Sequence, residues 1–91
     1  MVNAIILMSC ERDQIARIGE TLAGMDEIAE VYSVAGKFDL VAIVRVAHND
    51  DLARLVTHHM TGIDGITSTE TLFAFKAYSR HDLEALFSVG L

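Results

Sequence analysis

Two short stretches concentrate the polar chemistry of this 91-residue chain. One is the turn Val34-Ala35-Gly36-Lys37-Phe38-Asp39-Leu40-Val41, set between strand-like segments; the other is Gly65-Ile66-Thr67-Ser68-Thr69-Glu70-Thr71. A glycine in such a turn serves either a positive-φ hairpin or, lacking a side chain, the close approach of a ligand to exposed backbone amides. Asp39 can cap that turn with its carboxylate. Threonines are strand formers, because β-branched residues suit extended backbone. Yet Thr67, Ser68, Thr69 and Thr71 crowd five positions, more hydroxyl than strand propensity requires. Thr67, Thr69 and Thr71 point to one face of a strand, where a hydroxyl row can hold a carboxylate or amide. A glycine turn, a carboxylate and hydroxyls suit holding a small zwitterion rather than breaking bonds in one.

The remaining reactive side chains read as structural. His58 and His59 are adjacent on a helix, so they diverge by ~100° and cannot face one ion. With His48 and His81 they are expected in solvent or at an interface, and no metal or cofactor is expected. Cys10 is the sole cysteine, which excludes an intrachain disulfide and predicts a structural thiol. Tyr32, Tyr78, Phe73 and Phe75 are expected to fill core and interface. Arg45, on an apolar strand, is read as a rim residue or an interface cation paired with Glu30 or Glu70.

These groups need a scaffold, and composition bounds it. Ninety-one residues with 52% apolar content predict one domain, 1–91, whose surplus apolar surface favours self-association. No apolar run approaches the ~20 residues of a membrane span, and Met1-Val2-Asn3 lacks a signal peptide's basic start; a cytoplasmic protein is expected. The net charge is −6 and the seven Lys and Arg are scattered, which argues against direct nucleic-acid binding.

The halves repeat at an offset of 38: Asn3–Met8 lies over Val41–Val46, Gly24–Ile28 over Gly62–Ile66, and Asp13 over Asp51. Each half reads strand, helix, strand. Ile15, Ile18 and Leu22 line one helix; Leu52, Leu55, Val56 and Met60 line the other. Ser9 and Asn49 are expected N-caps, Gly24 and Gly62 the stops. Strands are predicted at 2–8, 28–35, 39–47 and 66–78. A short C-terminal helix is predicted at 80–88, capped by Ser79 with Asp82 and striped by Leu83, Leu86 and Phe87. The βαββαβ order gives an α+β ferredoxin-like sandwich: a four-stranded antiparallel sheet with two helices on one face. The first and third strands, placed centrally, are apolar on both sides, so the uncovered face predicts a sheet-to-sheet dimer.

With these motifs in this order, the chain resembles the effector-binding RAM domain of the Lrp/AsnC regulators, in its stand-alone version without a helix-turn-helix. The matching elements are Gly36-Lys37-Phe38-Asp39 and the Gly-Ile-x-x-Thr-x-Thr pattern of Gly65 to Thr71. The resemblance implies a ligand site of Gly36, Lys37, Phe38, Asp39, Thr67, Thr69 and Thr71, with Asp39 receiving an ammonium. It further implies a homodimer assembling into a higher, octamer-like ring, an amino-acid ligand between dimers, and action on transcription or metabolism through a DNA-binding partner. Two other functions suit the fold: a cofactor-free oxygenase or isomerase, and a purely structural oligomerisation module. The enzyme lacks support, because no histidine falls on a strand facing the cavity between helices and sheet, where general acid–base chemistry needs one.

Overall fold

The computed structural model describes residues 1–78 and 80. The elements are β1 (Val2–Cys10), a 3-10 turn (Arg12–Gln14), α1 (Ile15–Ala23), β2 (Ile28–Ser33), β3 (Leu40–Val46), α2 (Asn49–Arg54), which runs on as a π turn (Leu55–His59), and β4 (Ile66–Ala74). The sheet order is β2-β3-β1-β4 and every pairing is antiparallel. β1 and β3 are therefore central, and each half is a split βαβ unit with one strand inserted between its own two. This is the expected α+β ferredoxin-like architecture.

Strand alternation divides the apolar residues. Ala4, Ile6, Met8, Leu40, Ala42, Val44 and Val46 are buried beneath Ile18, Leu22, Leu52, Leu55 and Met60 of the helices. Each large member contributes about 1.5–3 kcal/mol on burial. On the opposite face Ile5, Leu7, Val41 and Ile43 are only half-buried, and Leu72 of β4 joins them.

Several local expectations shift. β1 runs to Cys10 because it pairs with β4 along its whole length, so Ser9 is a strand residue and not an N-cap; helical turns begin after Glu11. At the second helix the cap is His48. Its N–H donates to Asp51 Oδ2 at 3.1 Å, and Asn49 is the first helical residue. Gly24 caps α1, but Met60 takes the corresponding place after the π turn and Gly62 lies beyond it. β2 and β4 stop short of the predicted 35 and 78, because no neighbouring strand extends that far. The four aromatic side chains expected in core and interface stay out of this subunit's core: Tyr32, Phe73, Phe75 and Tyr78 are all exposed, since β2 and β4 are the sheet edges and Phe75 and Tyr78 follow the last strand. Arg80 apart, the helix expected at 80–88 with its Ser79–Asp82 cap lies outside the described residues, as does His81.

Candidate functional site at one end of the sheet

The antiparallel registers bring the two polar stretches to the same end of the sheet. Met8 of β1 stands opposite Leu40 on one side and Thr69 on the other. Asp39 and Thr69 thus flank the end of β1, separated by two strand spacings, roughly 10 Å. Asp39 extends the β3 ladder, its N–H donating to the Met8 carbonyl at 2.8 Å while its own carbonyl accepts from Val34 at 3.0 Å. Its Oδ2 accepts the Cys10 N–H at 2.8 Å. The carboxylate therefore caps β1, 29 residues away, and not the turn that carries it.

Gly36 sits at the exposed turn with φ +128°, a conformation L side chains rarely adopt, although a Cβ there would meet nothing within 4 Å. Phe38 is half-buried, and Lys37 Nζ lies 5.9 Å from its ring centroid, in cation–π range. The threonines separate into two roles. The pairing jumps from Ser9↔Ser68 to Cys10↔Ile66, so Thr67 is the extra residue of a β-bulge, and its hydroxyl donates to the Ser9 carbonyl at 3.0 Å. Thr69 and Thr71, opposite Met8 and Ile6, share the helix-side face. Thr71 stands two residues further from the turn. Gly36, Asp39, Thr67 and Thr69 therefore gather at one sheet end, while Thr71 lies along the strand from it.

Beneath Thr67–Thr69 lies a cavity of about 210 Å³ with Val56, Met60, Ile63 and Ile66 as its apolar walls. The sequence did not mark them as cavity walls, because Val56 and Met60 at helical spacing read as core. The Cys10 thiol is held above its ordinary range, first by burial and then by the Asp39 carboxylate beside it. On the opposite face of the sheet, Glu30 accepts the Tyr32 hydroxyl proton and raises that phenol's pKa. Arg45 is exposed, and its backbone N–H donates to the Glu27 carbonyl at 3.0 Å. His59 is tied by Nδ1 to Glu27 Oε2 at 2.9 Å. Among the described residues no three His, Cys, Asp or Glu side chains come together as a metal site, and no helix is long and apolar enough to cross a membrane.

Comparison with known proteins fits this geometry. The model of the Lrp/AsnC ligand binding domain matches residues 3–83. The chain is 32% identical over 65 residues to the uncharacterised HTH-type transcriptional regulator YugG of Bacillus subtilis, covering 71% of this chain and 39% of that protein. A 28% identical relative is the HTH-type transcriptional regulator FL11 of Pyrococcus furiosus, with 85% of this chain and 50% of FL11 aligned. The chain thus spans half or less of the length of these curated relatives. Among solved structures, TTHA0845 of Thermus thermophilus is 40% identical with a TM-score of 0.82, over 88% of this chain and all of that one. The transcriptional regulator NMB0573 of Neisseria meningitidis, solved with L-Met, shares the fold at a TM-score of 0.78 and 14% identity, over 87% of this chain and 53% of that one. With its fold, its polar sheet end and a family match spanning nearly the whole sequence, the chain belongs to the Lrp/AsnC family as a ligand-binding domain.

Proposed function

We propose that this regulatory domain senses a small amino acid without transforming it, holding it at the sheet end where Gly36, Lys37, Phe38, Asp39, Thr67 and Thr69 gather, with Thr71 at the margin. The observation that carries this reading is the convergence of a backbone-exposing turn, a carboxylate and the free Thr69 hydroxyl around the end of β1. An amino acid carries both charges, so it needs a partner for each; Asp39 supplies the anion, and turn amides and hydroxyls supply donors to the carboxylate. Burying either charge unpaired is costly. The L-Met complex of the structurally similar Neisseria regulator is consistent with a ligand of this class.

The half-buried Ile5, Leu7, Val41 and Ile43 support a homodimer packed sheet to sheet. The Asn3 Oδ1 on the same face, buried without a partner among the described residues, supports it too. A higher ring would complete the ligand site with a neighbouring subunit. The domain works in the cytoplasm and acts on transcription through a DNA-binding partner, its own scattered basic residues offering no phosphate-binding patch.

The test is a thermal-shift panel of the twenty amino acids. Ligand at ~100-fold excess over Kd should add roughly 2.7 kcal/mol of stability. Calorimetry then compares the wild type with Asp39→Asn, which keeps an acceptor for the Cys10 N–H but loses the charge, and with the exposed Asp13→Asn. The reading requires weaker binding only in Asp39→Asn. Unchanged stability across the panel would overturn it in favour of a structural oligomerisation module.

A further inference from the structure

We infer that the groove between α1 and β2 is a docking site for residues 81–91 of a second copy of this chain, which lay the apolar stripe of Leu83, Leu86 and Phe87 into it. The inference is independent of the ligand reading above, because the groove and the proposed ligand site share no residue. Three observations carry it.

The first is the groove itself. Ile15, Val31 and Leu40 give it an apolar floor, and α1 borders it with side chains too short to fill the space, which amounts to about 550 Å³. Ile15 and Val31 are only half-buried, so apolar surface there still faces water, and covering it is favourable. At ~30 Å³ for each water-sized group, the space takes about eighteen non-hydrogen atoms. The side chains of Leu83, Leu86 and Phe87 bring about fifteen, close to that filling.

The second is charge. At helical spacing Leu83, Leu86 and Phe87 share one face, and Asp82 and Glu84 fall on its two flanks. A stripe flanked in this way suits an apolar groove with a cation at its border. Arg12 stands at the border of this groove, exposed, and its guanidinium makes no hydrogen bond or ion pair among the described residues. Glu20 borders the same groove roughly 12 Å further along α1. A segment running parallel to α1 therefore sets its acidic start beside Arg12 and its uncharged Ser88–Leu91 beside Glu20.

The third is where the chain leaves the body, which assigns the segment to another copy. Lys76 and Ala77 lie beside Asn3, Ile5, Ile43 and Arg45, on the open face of the sheet. The groove is on the helix face and at the other end, beside Ser33 and Leu40. From Arg45 to Leu40 along β3 is about 17 Å, and the sheet lies between the two places. The helix predicted at 80–88 leaves only Ser79 to join it to Tyr78, which brings Leu83 about 12 Å out. One chain is thus too short to fill its own groove; a second copy has no such constraint. Phe75 and Tyr78, which lead to the segment, are 96% and 82% exposed, so their own subunit gives these aromatic surfaces little cover.

The experiment uses the full chain with p-benzoylphenylalanine in place of Phe87, irradiated as an equilibrated mixture of ¹⁵N-labelled and unlabelled copies. Mass spectrometry should find cross-links from position 87 to peptides within residues 12–33, with pairs of mixed isotope among them. Ala23→Leu, which fills an exposed part of the groove, should cut the yield by about fivefold or more. Arg12→Asp should cut it about threefold, the scale of a surface ion pair, and Arg12→Asp combined with Asp82→Arg should restore it. Arg12 and Ala23 are exposed, so circular dichroism of the variants should match the wild type and separate lost docking from lost fold. Cross-links without any mixed-isotope pair would overturn the exchange between copies. Cross-links mapping outside residues 12–33, or a yield indifferent to Ala23→Leu, would overturn the groove as the docking site. Absence of any cross-link would overturn the proposal as a whole.

Discussion

The two halves of this domain place each helix beside an edge strand, and the grooves they form differ. Between α1 and β2 the groove is wide, about 550 Å³, because α1 turns the small residues Ala16, Gly19 and Ala23 toward it; Arg12 and Glu20 add charge at its border. Its counterpart between the π turn and β4 holds about 210 Å³ and no charge. At the offset of 38 residues, two positions line both grooves: Ala23 corresponds to Thr61 and Val31 to Thr69. Away from the first groove's lining, Ile18 corresponds to Val56 and Glu27 to Gly65. Ile18 is fully buried where Val56 is half-buried. One plan appears twice; hydroxyls at the two shared lining positions and the widened helix turn distinguish the second groove, which is small, neutral and hydroxyl-rimmed.

The sharpest test of this asymmetry is a matched pair of truncations. Ile18→Ala should cost about 2–5 kcal/mol, the usual loss for a fully buried aliphatic side chain. Val56→Ala, half exposed already, should cost only about 1 kcal/mol. Urea midpoints of the two variants measure the difference, and equal losses would show that Val56 is packed as tightly as Ile18. A second contrast concerns Gly65. Its φ of +99° and the proximity of Ile18 Cδ1 and Gln14 Cβ, 3.0 and 3.1 Å from where a Cβ would stand, exclude a side chain that its counterpart Glu27 carries freely. Gly65→Ala should therefore cost about 1–3 kcal/mol, more than Gly36→Ala, where only backbone strain acts.

Smaller effects follow at the seams. Glu27→Gln replaces the carboxylate that meets His59 Nδ1, the two side chains being 23% and 43% exposed, so the loss should stay below about 1 kcal/mol. At Cys10 the folded state holds the thiol above its ordinary pKa. Folding thus favours the protonated form: this contribution is present below the unfolded pKa and is lost as pH rises through the folded one. Iodoacetamide should alkylate Cys10 more slowly at mildly alkaline pH than it alkylates the unfolded chain, and Asp39→Asn should narrow that gap without closing it, because burial is the larger cause. Equal rates in folded and unfolded protein would contradict the assignment.

The order of elements was legible in the sequence because it depends on local periodicity. Ala4, Ile6 and Met8 alternate with Asn3, Ile5 and Leu7, and Ile18 and Leu22 recur at helical spacing, so strands, helices and core stripes follow from side-chain geometry along a few residues. The doubled pattern fixed the split βαβ topology, and the excess of hydroxyls at Thr67 to Thr71 drew attention to the sheet end where the proposed site lies. The sequence did not disclose how the carboxylate of Asp39 would be used, since its partner is a backbone N–H on another strand. Nor did it disclose the His48 cap or the π turn, which depend on individual hydrogen bonds that a hydrophobic period does not register. It placed Tyr32 and Phe73 in core and interface, because aromatic residues on strands read as packing groups; their positions on edge strands keep them out of this subunit's core. The cavity depended most on tertiary structure. Its walls come from the π turn, the loop after it and β4, and empty volume arises only where side chains from separate elements fail to meet.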